Sequence, residues 1–297
     1  MHKHNHCHNH SDSTKRIRIA FLLNLFFSIF ELIGGILTNS VSILSDAIHD
    51  IGDSLSIGLS YILEKISKNE SNDKYTYGYL RYSLIGALFT SIMLLIGSIF
   101  VFYKAIPLLF EPDIVNHDMM IIFAIFGTLI NGYAAYKTSK GHGKNEKAIS
   151  LHLIEDVLGW ISVLIGSIII KFTGWTIIDP ILSILIAVYI LYHVYENIKD
   201  VFYIFMDKVP LSINVDNIKK EIENKFKSVK EVHHIHIWSV DGINNYFTAH
   251  VLLKSSINED EIIQLKKELK EFLFTKEIHH STLEIEYKNE KCESKKC

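Results

Sequence analysis

The chain has 297 residues, of which 48% are hydrophobic and 21% charged, and its formal net charge at pH 7 is −3. It lacks the basic surplus expected of a nucleic-acid-binding protein, and its three cysteines, all near the termini, predict no disulfide framework. The charge is unevenly distributed, because residues 200–297 hold 15 of the 30 Lys and Arg and 17 of the 33 Asp and Glu. This asymmetry predicts a charge-poor membrane domain followed by a smaller soluble domain.

Six apolar segments are each long enough to cross a bilayer of ~30 Å, which takes roughly 20 helical residues. In chain order they are 17–38, 42–63, 84–106, 114–137, 148–172 and 177–198. Lys and Arg gather before the first segment and in the second and fourth loops, and they are sparse in the alternate loops. By the positive-inside rule, we expect both termini in the cytosol.

After the sixth segment, apolar and polar residues alternate in short amphipathic stretches, a pattern typical of a soluble domain. Helices are predicted at 214–226 and 259–272, and strands at 232–240, 246–254 and 282–287. The order αββαβ is typical of a small ferredoxin-like layer of sheet and helices. The predicted fold class is therefore an all-α membrane domain of six transmembrane helices plus a small α+β ferredoxin-like cytosolic C-terminal domain. The predicted domain bounds are 1–14 (His-rich cytosolic tail), 15–204, 205–290 and 291–297 (C-terminal tail).

Two of the apolar segments carry ionisable residues at helical spacing. In the second and fifth segments these residues are Asp46, His49, Asp50, Asp53, His152, Glu155 and Asp156. An ionisable group at the bilayer centre costs on the order of 2.5–3.5 kcal/mol. We therefore expect the two helices to turn these groups towards each other or towards water.

The sharper signal is a repeated pair, His49-x-x-x-Asp53 and His152-x-x-x-Asp156. Each pair puts an imidazole and a carboxylate one turn apart, and together they supply four ligands that suit tetrahedral Zn²⁺. No Cys or Met lies near either pair, which disfavours Cu(I), and the oxygen-only ligands that Mg²⁺ and Ca²⁺ prefer are lacking. A purely structural role in helix assembly and a proton relay are the alternatives.

At these residues the chain resembles the cation diffusion facilitator family, specifically its zinc-transporting branch. The resemblance covers about residues 15–290. It is carried by Glu31-Leu-Ile-Gly-Gly-Ile-Leu-Thr-Asn-Ser-Val-Ser-Ile-Leu-Ser-Asp-Ala-Ile-His49, Tyr77-Gly-Tyr-Leu-Arg81, Asp179-Pro180 and His236-Ile-Trp238.

The resemblance implies a homodimer in the lipid bilayer that exports a divalent metal ion from the cytosol in exchange for protons. It implies a transport site of His49, Asp53, His152 and Asp156, a set that in the family goes with zinc, often also with cadmium or cobalt. Zn²⁺ is thus expected as the transported ion and also as a regulatory ion.

Short loops favour a bacterial plasma (inner) membrane. A metal site that some relatives have between helices 2 and 3 is predicted to be absent, because residues 65–81 contain no histidine.

A further metal site is predicted in the soluble domain, where strand pairing brings His233, His250 and Glu286 within reach of one ion. Other candidate ligands nearby are His279, His280, Cys292 and Cys297. The alternative is a set of surface histidines on a half-exposed strand.

The N-terminal tail alternates histidine with other residues. Its candidate ligands are His2, His4, His6, Cys7, His8 and His10. Such a tract can bind metal loosely, or it can be a solvated tail without a role in transport.

The alternative functions are an intramembrane metalloenzyme, a membrane-bound divalent-metal sensor and a channel. An enzyme is disfavoured, because the chain has no His-Glu-x-x-His motif and four protein ligands leave no position for a catalytic water. A sensor needs no ligands in the middle of the bilayer, and a tight four-ligand site would hold an ion too strongly for fast permeation. The sequence therefore predicts a transporter that is not an enzyme.

Overall fold

The structure, a computed structural model, describes residues 8–38, 41–110, 117–173, 175, 177–287 and 290. The chain divides into two compact units, Met1–Val201 and Phe202–Cys297. The long helices of the described chain are α1 (His8–Thr38), α2 (Val41–Ile66), α3 (Arg81–Leu108), α4 (His117–Thr138), α5 (Lys144–Thr173) and α6 (Ile178–Phe205). The predicted domain bounds stay a prediction.

Each predicted apolar segment overlaps one of these helices. Helix α1 begins at His8, so the last residues of the predicted tail are its first turns. By length and hydropathy alone, α3 and Lys144–Gly166 of α5 are candidate membrane spans among the described residues. Since a buried helix of a soluble protein passes the same test, the six-span topology stays a prediction.

The helical unit has an interior rich in small and polar side chains. Ala20, Ala87, Ala134, Ser28 and Asn131 are fully buried. Large apolar side chains lie outside instead, among them Phe26, Ile36, Leu55, Leu129 and Leu185, each at least 60% exposed. Small buried residues let helices approach closely, and an apolar exterior is the arrangement that suits surrounding lipid.

The second unit contains a three-stranded sheet with two helices. Its elements are α7 (Val215–Lys225), β1 (Val229–Ser239), β2 (Asn245–Leu253), α8 (Glu259–Phe274) and β3 (Ile278–Glu286). The sheet order is β1-β2-β3, with β1 and β2 antiparallel and β2 and β3 parallel. Helix α8 begins with a capping box formed by Asn258 and Glu261, which satisfies backbone N–H groups at its first turn.

The core of this unit lies between the two helices and one face of the sheet. Ile222 of α7 and Leu269 of α8 pack there with Phe247 and Val251 of β2. Along β2 buried and half-buried residues alternate strictly, so the even-numbered side chains point to the opposite face. We call this opposite side of the sheet the open face.

Strand β3 begins four residues earlier than the sequence predicts. Ile278 is 2% exposed and belongs to the core, but the exposed His279 and His280 that follow interrupt the alternation on which the prediction depended.

Candidate metal centres

Asp53 of α2 and His152 and Asp156 of α5 form a cluster inside the helical unit. One potential ligand atom of each lies within 4.8 Å of the other two, and His152 Nε2 lies 3.7 Å from Asp53 Oδ2. His152 is 6% exposed, and within the described residues its Nε2 makes no hydrogen bond. Since buried polar atoms are nearly always satisfied, this nitrogen calls for a further partner such as a cation.

Three of the four predicted transport ligands therefore come together. The fourth, His49, lies one turn before Asp53 on α2, but its side chain is outside the described residues. Asp50 and Glu155 are half-buried on the same two helices. The assignment of all four ligands stays a prediction.

The composition of the cluster matches the charge of a divalent cation. When Asp53 and Asp156 are both deprotonated, as metal binding requires, they bring two negative charges, and the neutral imidazole of His152 brings a nitrogen ligand. A dication neutralises that charge, whereas an empty cluster would leave like charges together in a buried place. Mixed nitrogen and oxygen ligands are typical of zinc.

Helix α1 supports α2 beside this cluster through buried hydrogen bonds. Asn24 Nδ2 donates to Ser54 Oγ over 3.0 Å, and Ser28 Oγ lies 3.2 Å from the same hydroxyl. All three side chains are at most 1% exposed. Because Ser54 follows Asp53 directly, these bonds fix the part of α2 that carries the carboxylate.

A second polar network ties the beginnings of α1 and α5 to the end of α2, and we call it the α1–α2–α5 clasp. The hydroxyl of Ser13 donates to Glu64 Oε1 over 2.8 Å, and Asn145 Nδ2 donates to Glu64 Oε2 over 3.3 Å. Arg16 Nε donates to Glu146 Oε1 over 2.6 Å. Glu64 and Glu146 are 4% and 2% exposed.

Sequence reasoning missed the clasp. Both glutamates stand next to lysines at the ends of apolar segments, a context typical of solvated loop charges.

A separate cluster lies on the open face of the sheet in the second unit. His233 and His250 are cross-strand partners, and the carboxylate of Glu286 on β3 contacts both rings. Glu286 Oε1 is 2.7 Å from His250 Nδ1, and its Oε2 is 3.2 Å from His233 Nε2. One potential ligand atom from each residue lies within 4.8 Å of the other two. The predicted set therefore comes together, and its role as a metal site stays a prediction.

The other predicted ligands of this domain do not join the cluster or lie outside the described residues. His279 contacts the ring of Phe274 and His280 that of Tyr246, and both histidines are exposed. Cys292 and Cys297 lie outside the described residues. Of the N-terminal tract, residues 1–7 lie outside them as well, and so do the side chains of His8 and His10.

Comparison with known proteins identifies the family. The model of the cation efflux transmembrane domain matches residues 17–206, which is more than half of the chain. The chain therefore belongs to the cation efflux family, the cation diffusion facilitators, and it is an integral membrane protein.

Several relatives match over nearly their whole length. The zinc transporter ZitB of Pectobacterium atrosepticum is 30% identical over 300 residues, covering 99% of this chain and 91% of the relative. The cadmium, cobalt and zinc/H(+)-K(+) antiporter of Bacillus subtilis is 31% identical over 285 residues, covering 95% and 91%. The metal cation efflux system protein CzcD of Cupriavidus metallidurans is 30% identical over 285 residues, covering 95% and 89%.

Proposed function

We propose that this protein exports Zn²⁺ from the cytosol in exchange for protons, and that it also accepts Cd²⁺ and Co²⁺. The observation that carries the proposal is the buried cluster of Asp53, His152 and Asp156. Full-length relatives named as zinc transporters and as a cadmium, cobalt and zinc antiporter support the choice of metal.

In this proposal His49 completes the site as the fourth ligand. It stands one turn before Asp53, as His152 stands one turn before Asp156, so each helix contributes one imidazole and one carboxylate. Four such ligands satisfy a tetrahedral zinc ion without water. The sensor and the metalloenzyme are not favoured, and we propose that the protein is not an enzyme.

Antiport follows from competition for these ligands. A metal ion binds deprotonated ligands, so loading from the cytosol releases protons from the site. An ordinary imidazole titrates near pH ~6.5 and is therefore largely ready for metal at neutral pH. When the site faces a more acidic exterior, protons compete for the ligands and the metal leaves.

We further propose that all six long helices span a bacterial plasma membrane, with both termini in the cytosol. The apolar exterior of the helical unit supports contact with lipid, and the alternation of basic loops supports the orientation. We propose a ferredoxin-like cytosolic domain over residues 205–290, flanking tails at 1–14 and 291–297, and assembly as a homodimer.

The cluster of His233, His250 and Glu286 is proposed as a regulatory Zn²⁺ site. Two imidazoles and a carboxylate are a common zinc ligand set, and a fourth position is left for water or another ligand. Cys292 follows Glu286 by six residues, and six extended residues span up to ~20 Å. The chain is therefore long enough for Cys292 to reach the fourth position.

Transport in proteoliposomes tests the main proposal. The purified full chain is reconstituted in vesicles and supplied with Zn²⁺, Cd²⁺, Co²⁺, Mn²⁺ or Fe²⁺ on the outside, with and without an acidic lumen. We expect Zn²⁺ uptake that is faster with the acidic lumen and is accompanied by a rise in luminal pH. Zinc uptake without proton movement would refute antiport, and absence of uptake for every metal would refute transport.

A further inference from the structure

The first strand of the soluble unit contains an irregularity next to the His233–His250–Glu286 cluster. His233 pairs with His250, but the next pair is His236 with Thr248, so β1 has one residue more than β2 over this stretch. His234 absorbs the extra residue in the left-handed region, with φ of 51°. This is a β-bulge, a feature that turns side chains away from strict alternation.

The bulge gathers histidines on one side of the sheet. In a regular strand, residues three apart point to opposite faces. Here the partners of His233 and His236 are His250 and Thr248, two residues apart on β2, so both histidines lie on the open face. The ring of His234 also lies there, with its centroid 4.8 Å from that of His250.

The rings of His234 and His236 approach each other through the same atom of each ring, Nε2. Their Nε2 atoms are 3.3 Å apart and the rings are nearly perpendicular, with an angle of 86° between them. Zinc–imidazole bonds of ~2.0–2.1 Å in a tetrahedral site put two ligand nitrogens ~3.4 Å apart. One of the two histidine nitrogens donates a hydrogen bond to the other over 3.3 Å. Nearly the same distance separates two ligands of one ion, so a divalent cation can replace the hydrogen bond between the rings.

From this geometry we propose a second divalent-metal site on the soluble unit, formed by Nε2 of His234 and Nε2 of His236. It takes ions that favour imidazole nitrogen, Zn²⁺ and Co²⁺ above Mg²⁺ or Ca²⁺. Two protein ligands leave the remaining positions to water, so this site fills at higher metal concentration than the three-ligand cluster beside it. The inference extends the proposed cytosolic site and does not depend on transport.

Equilibrium dialysis against Co²⁺ tests the proposal on the full chain in detergent. All proteins carry Asp53→Ala and Asp156→Ala, which remove transport-site ligands. Bound Co²⁺ is determined by elemental analysis and by its visible absorption. His234→Asn, which suits a positive φ, and His236→Gln are each expected to bind one Co²⁺ fewer than the parent. The lost ion should be one that the parent binds only at the higher free Co²⁺ concentrations.

His280→Gln is the matched control, since this exposed histidine on β3 contacts only the Tyr246 ring among the interactions described above. It should bind as much Co²⁺ as the parent. If His234→Asn and His236→Gln both keep the parent's stoichiometry, the second site does not exist. If circular dichroism shows that one of these two variants has unfolded, the Co²⁺ stoichiometry of the other variant tests the proposal.

His250→Gln separates this inference from the proposed three-ligand site. Loss of the tighter ion in His250→Gln and of the weaker ion in His236→Gln supports both sites. An unchanged stoichiometry in His250→Gln together with a loss in His236→Gln refutes the three-ligand site alone. Loss of the tighter ion in His236→Gln refutes the second site as proposed.

Discussion

Nε2 of His152 on α5 lies 3.7 Å from Oδ2 of Asp53 on α2, although the two residues are far apart in the sequence. Two ligands of one tetrahedral zinc ion lie ~3.4 Å apart, given bonds of about 2.0–2.2 Å. A small closing movement between α2 and α5 would therefore bring both atoms to bonding distance of an ion.

Asp53→Ala is expected to abolish zinc transport in proteoliposomes while the protein remains folded and inserted. The change removes one of the proposed ligands from the buried cluster, where water cannot easily replace it. Asp73→Ala, which removes an exposed carboxylate from the loop after α2, is the control and should transport at the parent's rate. Transport by Asp53→Ala at that same rate would show that the site is wrongly assigned.

His49→Asp should shift selectivity away from Zn²⁺ towards Mn²⁺. Exchanging an imidazole for a carboxylate makes the site more negative and richer in oxygen, which the harder Mn²⁺ prefers. Competition transport assays with pairs of metals measure the shift. An unchanged preference for Zn²⁺ would mean that His49 is not a ligand.

The features that could be predicted from the sequence are those whose residues recur at the regular spacing of a helix or strand. The His-x-x-x-Asp pairs follow from the helical repeat, which fixes which side chains share a face regardless of the rest of the fold. The bulge at His234 has no such signature, because consecutive histidines do not reveal which of them leaves the alternation. The contact between Ser13 and Glu64 joins two ordinary residues of different helices, and only packing brings them together.

Glu64→Ala should destabilise the helical unit by ~1–3 kcal/mol, the usual cost of leaving buried hydrogen-bond donors unsatisfied. It removes the acceptor shared by the Ser13 hydroxyl and the Asn145 amide. Glu64→Gln keeps one carbonyl oxygen and should be milder. The measurement is thermal unfolding of the purified protein in detergent.

Two further variants test whether this loss comes from the clasp. Glu70→Ala removes an exposed carboxylate a few residues further along and should melt like the parent. Adding Ser13→Ala to Glu64→Ala should cost less than the sum of the single changes, because the two residues share one hydrogen bond. Strict additivity would mean that the bond contributes nothing to stability.

Gly127→Ala should destabilise the protein by ~1–3 kcal/mol through overpacking between α4 and α5. A Cβ at this position would lie 2.6 Å from Nε1 of Trp160, closer than side chains can approach. The matched control is Gly97→Ala on α3, where nothing lies within 4 Å of the added carbon. Since alanine is favoured over glycine inside a helix by roughly 0.5–1 kcal/mol, this control should melt at the parent's temperature or above it. Trp160→Leu in the Gly127→Ala protein removes the obstructing ring, so the double variant should be less destabilised than the sum of the two single variants. Equal melting of Gly127→Ala and Gly97→Ala would show that α4 and α5 do not pack this closely.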